Sequence, residues 1–201
     1  MFLRRTLRIL LVAALLLFPV RVVMGSDAPD ISQPVILVAK RELRGSLFAA
    51  TVLVVRPIEN RGHIGFIVNF PTRTTLSEIF PGHEPSKQIA EPVYFGGTFA
   101  TNQLFAIVER EKNPGGLSIA LTDRLFAVFD APTLDRIIEH ESAHARFYFG
   151  ICTWRSGQLA AEIAGGYWYV LEPRADIVLR KSTQDLWYEL VNRLETAMRM
   201  I

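Results

Sequence analysis

Apolar residues come in short blocks along most of the chain, and the blocks are the length of strands. Val35-Ile36-Leu37-Val38-Ala39 is the first, Thr51 to Val55 the second (stopped by Pro57) and Gly65 to Asn69 the third, running into Pro71. Short runs rich in β-branched residues and bounded by Gly, Pro or Asn predict strands rather than helices. The same pattern marks Val93 to Phe95, Leu104 to Val108, Leu117 to Leu121, Leu125 to Phe129, Ala145 to Cys152, Trp168 to Leu171 and Ile177 to Leu179. Helical spacing is rarer. Thr75 to Phe80 predicts a short helix ended by Pro81-Gly82. Asp130-Ala131-Pro132 offers an N-cap with Pro just inside, opening a helix through Leu134, Ile137 and Ile138. Gln158 to Ala164 closes at Gly165-Gly166, and Leu186, Trp187, Leu190, Val191, Leu194 and Met198 recur on one face of a last helix. Ser182 with Asp185 resembles a capping box at the start of that helix. Several strands precede the gathered helices, so the expected class is α+β. The expected architecture is a largely antiparallel β-sheet or partial barrel flanked by a few helices, in a single domain.

The first 25 residues break this pattern. Arg4, Arg5 and Arg8 precede an apolar run of 12 residues, Ile9 to Val20, and Val23-Met24-Gly25 ends small enough for cleavage before Ser26. That is the layout of a secretory signal; a membrane anchor is the alternative, but about 20 apolar residues are needed to span a bilayer and Arg21 interrupts the stretch. The expectation is a signal peptide over 1–25, a short leader over 26–34 and one domain over 35–201. It carries with it a periplasmic or secreted location and no stable membrane span after cleavage. Cleavage also changes the charge: 22 Lys+Arg become 18 against 20 Asp+Glu, so net +2 becomes −2. With no dense basic patch left, no nucleic-acid partner is expected. The single Cys152 lies in a strand-like run and reads as a small core hydrophobe.

One pentapeptide has the letters of a zinc hydrolase: His140-Glu141-Ser142-Ala143-His144. Such sites need both imidazoles one helical turn apart, with the Glu placed to polarise a metal-bound water. Here a strand pattern begins at Ala145, Ser142 stands where an apolar residue is usual, and no third ligand is evident. The preferred reading is a polar turn between a helix and a strand. No metal and no cofactor are expected. The pairs Gly96-Gly97, Gly115-Gly116 and Gly165-Gly166 fit neither a dinucleotide fingerprint nor a P-loop, and no G-x-S-x-G elbow is present.

Three stretches carry a resemblance: Gly65-Phe-Ile-Val-Asn-Phe-Pro71, Pro92-Val-Tyr-Phe-Gly-Gly97, and the run Gly150-Ile-Cys-Thr-Trp-Arg-Ser-Gly-Gln-Leu-Ala-Ala-Glu-Ile163. In order and spacing they resemble the YqgE/AlgH family of bacterial proteins, over roughly residues 34 to 195. The resemblance implies an α+β fold with antiparallel strands and places the signature positions on Asn69, Pro71, Gly96, Gly97, Trp154, Gly157, Gln158, Leu159 and Glu162. Of these, Asn69, Gly96, Gly97, Trp154, Gln158 and Glu162 are the candidate lining of a binding cleft, with no catalytic residue assigned. The chain departs from the family over Ala39 to Phe48 and Gly62 to Gly65, and in its export signal. The expected function is a non-enzymatic binding or regulatory module with a protein or small-ligand partner. The alternatives are a hydrolase assembled in the same cleft and, as the family label suggests, a transcriptional regulator.

Overall fold

The computed structural model describes residues 31–59 and 62–200; the expected signal segment and most of the leader lie outside these. Ten strands make one curled, mostly antiparallel sheet: β1 Val35–Ala39, β2 Val52–Ile58, β3 Gly62–Ile67, β4 Pro71–Thr75, β5 Pro92–Phe95, β6 Phe99–Glu109, β7 Ser118–Ala120, β8 Leu125–Val128, β9 Ala145–Trp154 and β10 Trp168–Leu171. The order is β10-β1-β2-β3-β9-β6-β8-β7, with β5 joining β9 in parallel and β4 pairing β5. Six helices flank it: α1 Leu76–Ile79, α2 Glu84–Lys87, α3 Ala131–His140, α4 Gln158–Ala164, α5 Ala175–Val178 and α6 Leu186–Arg199. No described helix is long and apolar enough to cross a membrane. The α+β class, the antiparallel half-barrel and the single domain all stand.

The apolar runs are continuous because both sheet faces are covered. Within β1, Ile36 and Val38 face the core under α5 and α6, together with Val54, Phe66, Tyr148, Leu186 and Leu190. Leu37 and Ala39 face the opposite way, with Leu53, Val55, Trp154 and Leu159 of α4. A third cluster seats Leu134, Ile137 and Ile138 of α3 on Val108, Phe126 and Phe147. Asp130 starts α3 as expected: its side chain accepts from the Thr133 amide at 3.1 Å and from the Leu117 amide at 2.7 Å. Burial pushes its carboxyl up, but these backbone donors outweigh that and hold it below the usual carboxylate range.

Two local expectations are corrected, and one strand has no counterpart among them. Ile177 to Leu179 is not a strand; Ile177 and Val178 belong to the single turn α5, which packs both on the inner core. A three-residue apolar run fits a strand and a buried turn equally well. The Ser182–Asp185 capping box does not form, since α6 starts at Leu186 with Asp185 as N-cap and no side-chain cap bond. A capping box forms instead at Thr75, whose backbone N–H donates to Glu78 Oε2 at 2.8 Å. Finally, β4 (Pro-Thr-Arg-Thr-Thr) is a strand with no apolar signal, paired on β5 alone, where an edge position tolerates Pro71.

Candidate functional site

Glu162 is the hub of one side-chain cluster. Its Oε2 accepts the indole N–H of Trp154 at 3.0 Å and that of Trp168 at 3.1 Å, while Oε1 accepts from Gln158 Nε2 at 3.1 Å. Gln158 Oε1 in turn accepts the Arg155 amide at 3.2 Å. Helical spacing puts Gln158 and Glu162 on one face of α4, and both indoles are buried beneath it. Of the six expected cleft residues, the structure thus brings three together. It adds Trp168 of β10, which no signature position marks. Removing the carboxylate leaves two buried donors without acceptors, so Glu162→Ala is expected to cost about 3 kcal/mol. Glu162→Gln, which keeps an oxygen, should cost about 1 kcal/mol. Urea denaturation followed by tryptophan emission measures both; equal losses for the two variants would refute the role of the shared acceptor.

The other three candidates stand apart. Asn69 binds backbone on both sides of Thr51, accepting from the Val52 amide at 2.8 Å and donating to the Ala50 carbonyl at 2.9 Å. Gly96 and Gly97 sit where β5 crosses β9. A Cβ on Gly96 would lie 2.3 Å from the Gly150 carbonyl oxygen, and one on Gly97 would lie 2.1 Å from the Ile151 carbonyl carbon. The space is used for pairing: Gly96 N–H donates to the Phe149 carbonyl at 2.7 Å, and its own carbonyl accepts from Ile67 at 2.9 Å. Cys152, close by, is buried, and burial pushes its thiol up to about 12. No side-chain hydrogen bond among the described residues joins Asn69 or the glycines to the Glu162 cluster.

The zinc-like pentapeptide is a turn. Helix α3 ends at His140, Glu141 leaves helical geometry at φ −132° and ψ 12°, a short 3-10 turn spans Ser142–His144, and β9 starts at Ala145. The two imidazoles therefore do not share a helical face. Glu141 is engaged elsewhere, 2.9 Å from Arg110, and no three His, Cys, Asp or Glu among the described residues converge to hold a metal. A constellation not visible in the sequence is Ser86, His83 and Asp135. Ser86 Oγ lies 2.7 Å from His83 Nδ1, and His83 Nε2 lies 3.5 Å from Asp135 Oδ1. As a nucleophile Ser86 has no path to substrate, being fully buried; its hydroxyl closes the first turn of α2 on its N-cap, His83.

An open groove in the surface lies next to that histidine. Phe99 pairs with Ile151 and Leu104 with Phe149, so four residues of β6 bulge out opposite Gly150 alone. The bulge holds Ala100 at φ +53° and Gly150 at φ +72°, and such strain on a non-glycine residue costs on the order of 1–2 kcal/mol. On one side of it is a groove of about 660 Å³ walled by Phe80, Leu104, Phe129, Leu134 and Ile138, with His83 and Asp135 at its rim. On the other is a cavity of about 360 Å³ walled by Ile58, Phe99, Phe105, Leu117 and Ile119. Gln103 and Phe129 border both, so the two apolar hollows are neighbours. Phe99 and Leu117 are 59% and 63% exposed along the second. None of the six expected cleft residues lines either.

A UPF0301 protein of Chlorobium limicola is 28% identical over 155 residues, covering 76% of this chain and 81% of the relative. One from Bacteroides thetaiotaomicron is 25% identical over 162 residues, covering 79% and 81%. In fold, protein DIP2367 of Corynebacterium diphtheriae matches at TM-score 0.67 and 21% identity, over 81% of this chain and 86% of that one. The solution structure of the AlgH protein of Pseudomonas aeruginosa matches at TM-score 0.66 and 21% identity, over 85% and 93%. The family model described as DUF179, AlgH-like, spans residues 36–199, from the first core strand to the end of α6, and the chain belongs to that family.

Proposed function

We propose that this protein is a non-enzymatic binding module whose ligand lies in the apolar groove beside the β6 bulge. The observation that carries this is a groove of about 660 Å³ walled mainly by apolar side chains, with the polar groups His83 and Asp135 at its rim. A pocket of a few hundred Å³ or more with apolar walls and few polar groups is the usual form of a small-molecule site. The ligand class is an elongated apolar molecule with a hydrogen-bond-donating head, an amine for example, that reaches Asp135. The hydrolase alternative has one constellation in its favour, Ser86–His83–Asp135, and its hydroxyl is out of reach. The regulator alternative would need a basic face, against which a mature charge of −2 weighs.

Gln103 is exposed on the bulge and lines the groove, so Gln103→Trp narrows the groove without disturbing the core. Decylamine, titrated against the protein below its micelle concentration, is expected to bind saturably and to weaken roughly tenfold in that variant, a loss of about 1.4 kcal/mol. Binding that Gln103→Trp leaves unchanged would move the site elsewhere. We also propose that the module acts outside the inner membrane, supported by Arg4, Arg5, Arg8 and the apolar run after them. Intact mass of the protein from its own envelope should begin at Ser26; a full-length cytoplasmic product would overturn this.

A further inference from the structure

The sheet opens where the parallel pairing of β5 and β9 stops. The two strands pair at Tyr94↔Tyr148 and Phe95↔Phe149; one further step of two residues would set Pro92 opposite Arg146. Pro92 has no N–H to continue the ladder, and the strands part. The opening is a cavity of about 240 Å³ whose lining includes Gln88, Glu91, Ser142, Arg146, Phe147 and Lys181. Arg146 is 2% exposed. Its guanidinium donates to the Val178 carbonyl at 2.9 Å, to the Val68 carbonyl at 3.4 Å and to the Arg180 carbonyl, and it lies 4.3 Å from the centre of the Tyr94 ring. Its Nε has no partner, and neither does the wholly buried hydroxyl of Tyr148 two residues on. No carboxylate of the described residues is in ion-pair contact with Arg146.

A buried guanidinium held only by carbonyls and a ring face is incompletely compensated, because burying charge is costly unless an opposite charge accompanies it. The cavity supplies the space for one. Arg146 and Lys181 against Glu91 leave a single positive charge around it, which suits a monovalent anion; a phosphate dianion would meet Glu91. The alkyl and ring surfaces of Ile89, Ala143 and Phe147 leave room for a few methylene groups. We infer that this opening binds a short-chain monocarboxylate, with Lys181 and Arg146 supplying the charge and Ser142 a hydroxyl donor. The pentapeptide that resembled a zinc site thereby contributes a wall of a different one. The inference does not rest on the groove beside the bulge.

The test is a titration of the ¹⁵N-labelled protein with butyrate, reading the Arg146 Nε–H resonance and the backbone amides of residues 142–147. Saturable shifts are expected there, with none from butyramide, which has the same shape without the charge. Arg146 is too deep to replace safely, so the variant is Lys181→Glu, whose side chain is exposed; it should weaken butyrate roughly tenfold by reversing one charge at the site. Equal binding of butyramide, or butyrate affinity unchanged in Lys181→Glu, would overturn the inference. Tighter binding of a peptide with a free C-terminal carboxylate would overturn the assignment to a free acid.

Discussion

Gly97→Ala is expected to lose about 4 kcal/mol or more of stability, at the upper end of what single substitutions do. Whole domains are stable by only about 5–15 kcal/mol, so soluble yield should fall with it. The reason is local. The new methyl would lie 2.1 Å from the carbonyl carbon and 2.3 Å from the carbonyl oxygen of Ile151, and 2.4 Å from the Cys152 amide nitrogen. All three are backbone atoms of the central strand β9, so no rotamer change relieves the contact. Gly115→Ala is the matched control: its φ is +83°, but nothing lies within 4 Å of an added Cβ, and the left-handed conformation alone costs about 1–2 kcal/mol. Urea midpoints for the two variants separate close approach from backbone strain. A Gly97→Ala loss no larger than that of Gly115→Ala would mean that β5 can move away from β9 at little cost.

Arg146→Ala is the second large effect, expected at about 3–5 kcal/mol. The guanidinium ties β9 to the Val68 carbonyl after β3 and to the Val178 and Arg180 carbonyls at the end of α5. Val178 ends α5, and a cation suits a carbonyl at a helix C-terminus. Truncation leaves the carbonyls of the buried Val68 and Val178 without this donor and removes the cation stacked on Tyr94. Arg146→Lys should recover only part of the loss, since an ammonium cannot present the planar fork that reaches three carbonyls. Equilibrium unfolding of Arg146→Ala, Arg146→Lys and Arg146→Met measures this. If Arg146→Met is as stable as the parent chain, the buried charge contributes nothing net to stability.

These two positions show what could be read from the linear chain. Gly96-Gly97 was legible as a signature pair but not as a crossing, because its need for space arises from Gly150 and Ile151, some fifty residues away. Arg146 drew no notice in a run of aromatic residues, since a strand pattern does not say that three carbonyls from two other segments converge on one side chain. Glu162 and Gln158 were legible as one helix face from their spacing, and Trp154 by its motif. The role of Trp168 required the path of β10. The groove left no trace in sequence: Phe80, Gln103, Phe129 and Leu134 become neighbours only through the packing of α1–α2 and α3 on β6.

Local sequence alone dictates most of the elements and their two-faced burial. Runs such as Val35–Ala39 are strands because β-branched residues between turn-formers have no better local conformation, and α6 is a helix because its apolar residues recur at three- and four-residue spacing. Local chemistry also placed the Asp130 cap and stopped α3 before His144, which separates the two histidines of the pentapeptide. Everything that depends on two segments meeting was set by packing. That includes the parallel pairing of β5 on β9, the recruitment of Pro-Thr-Arg-Thr-Thr as a strand, the folding of Ile177-Val178 into a turn, and the three cavities. A residue's local preferences span about 1 kcal/mol, and burial of one large apolar side chain is worth about 1.5–3 kcal/mol, so where the two conflict, packing sets the outcome.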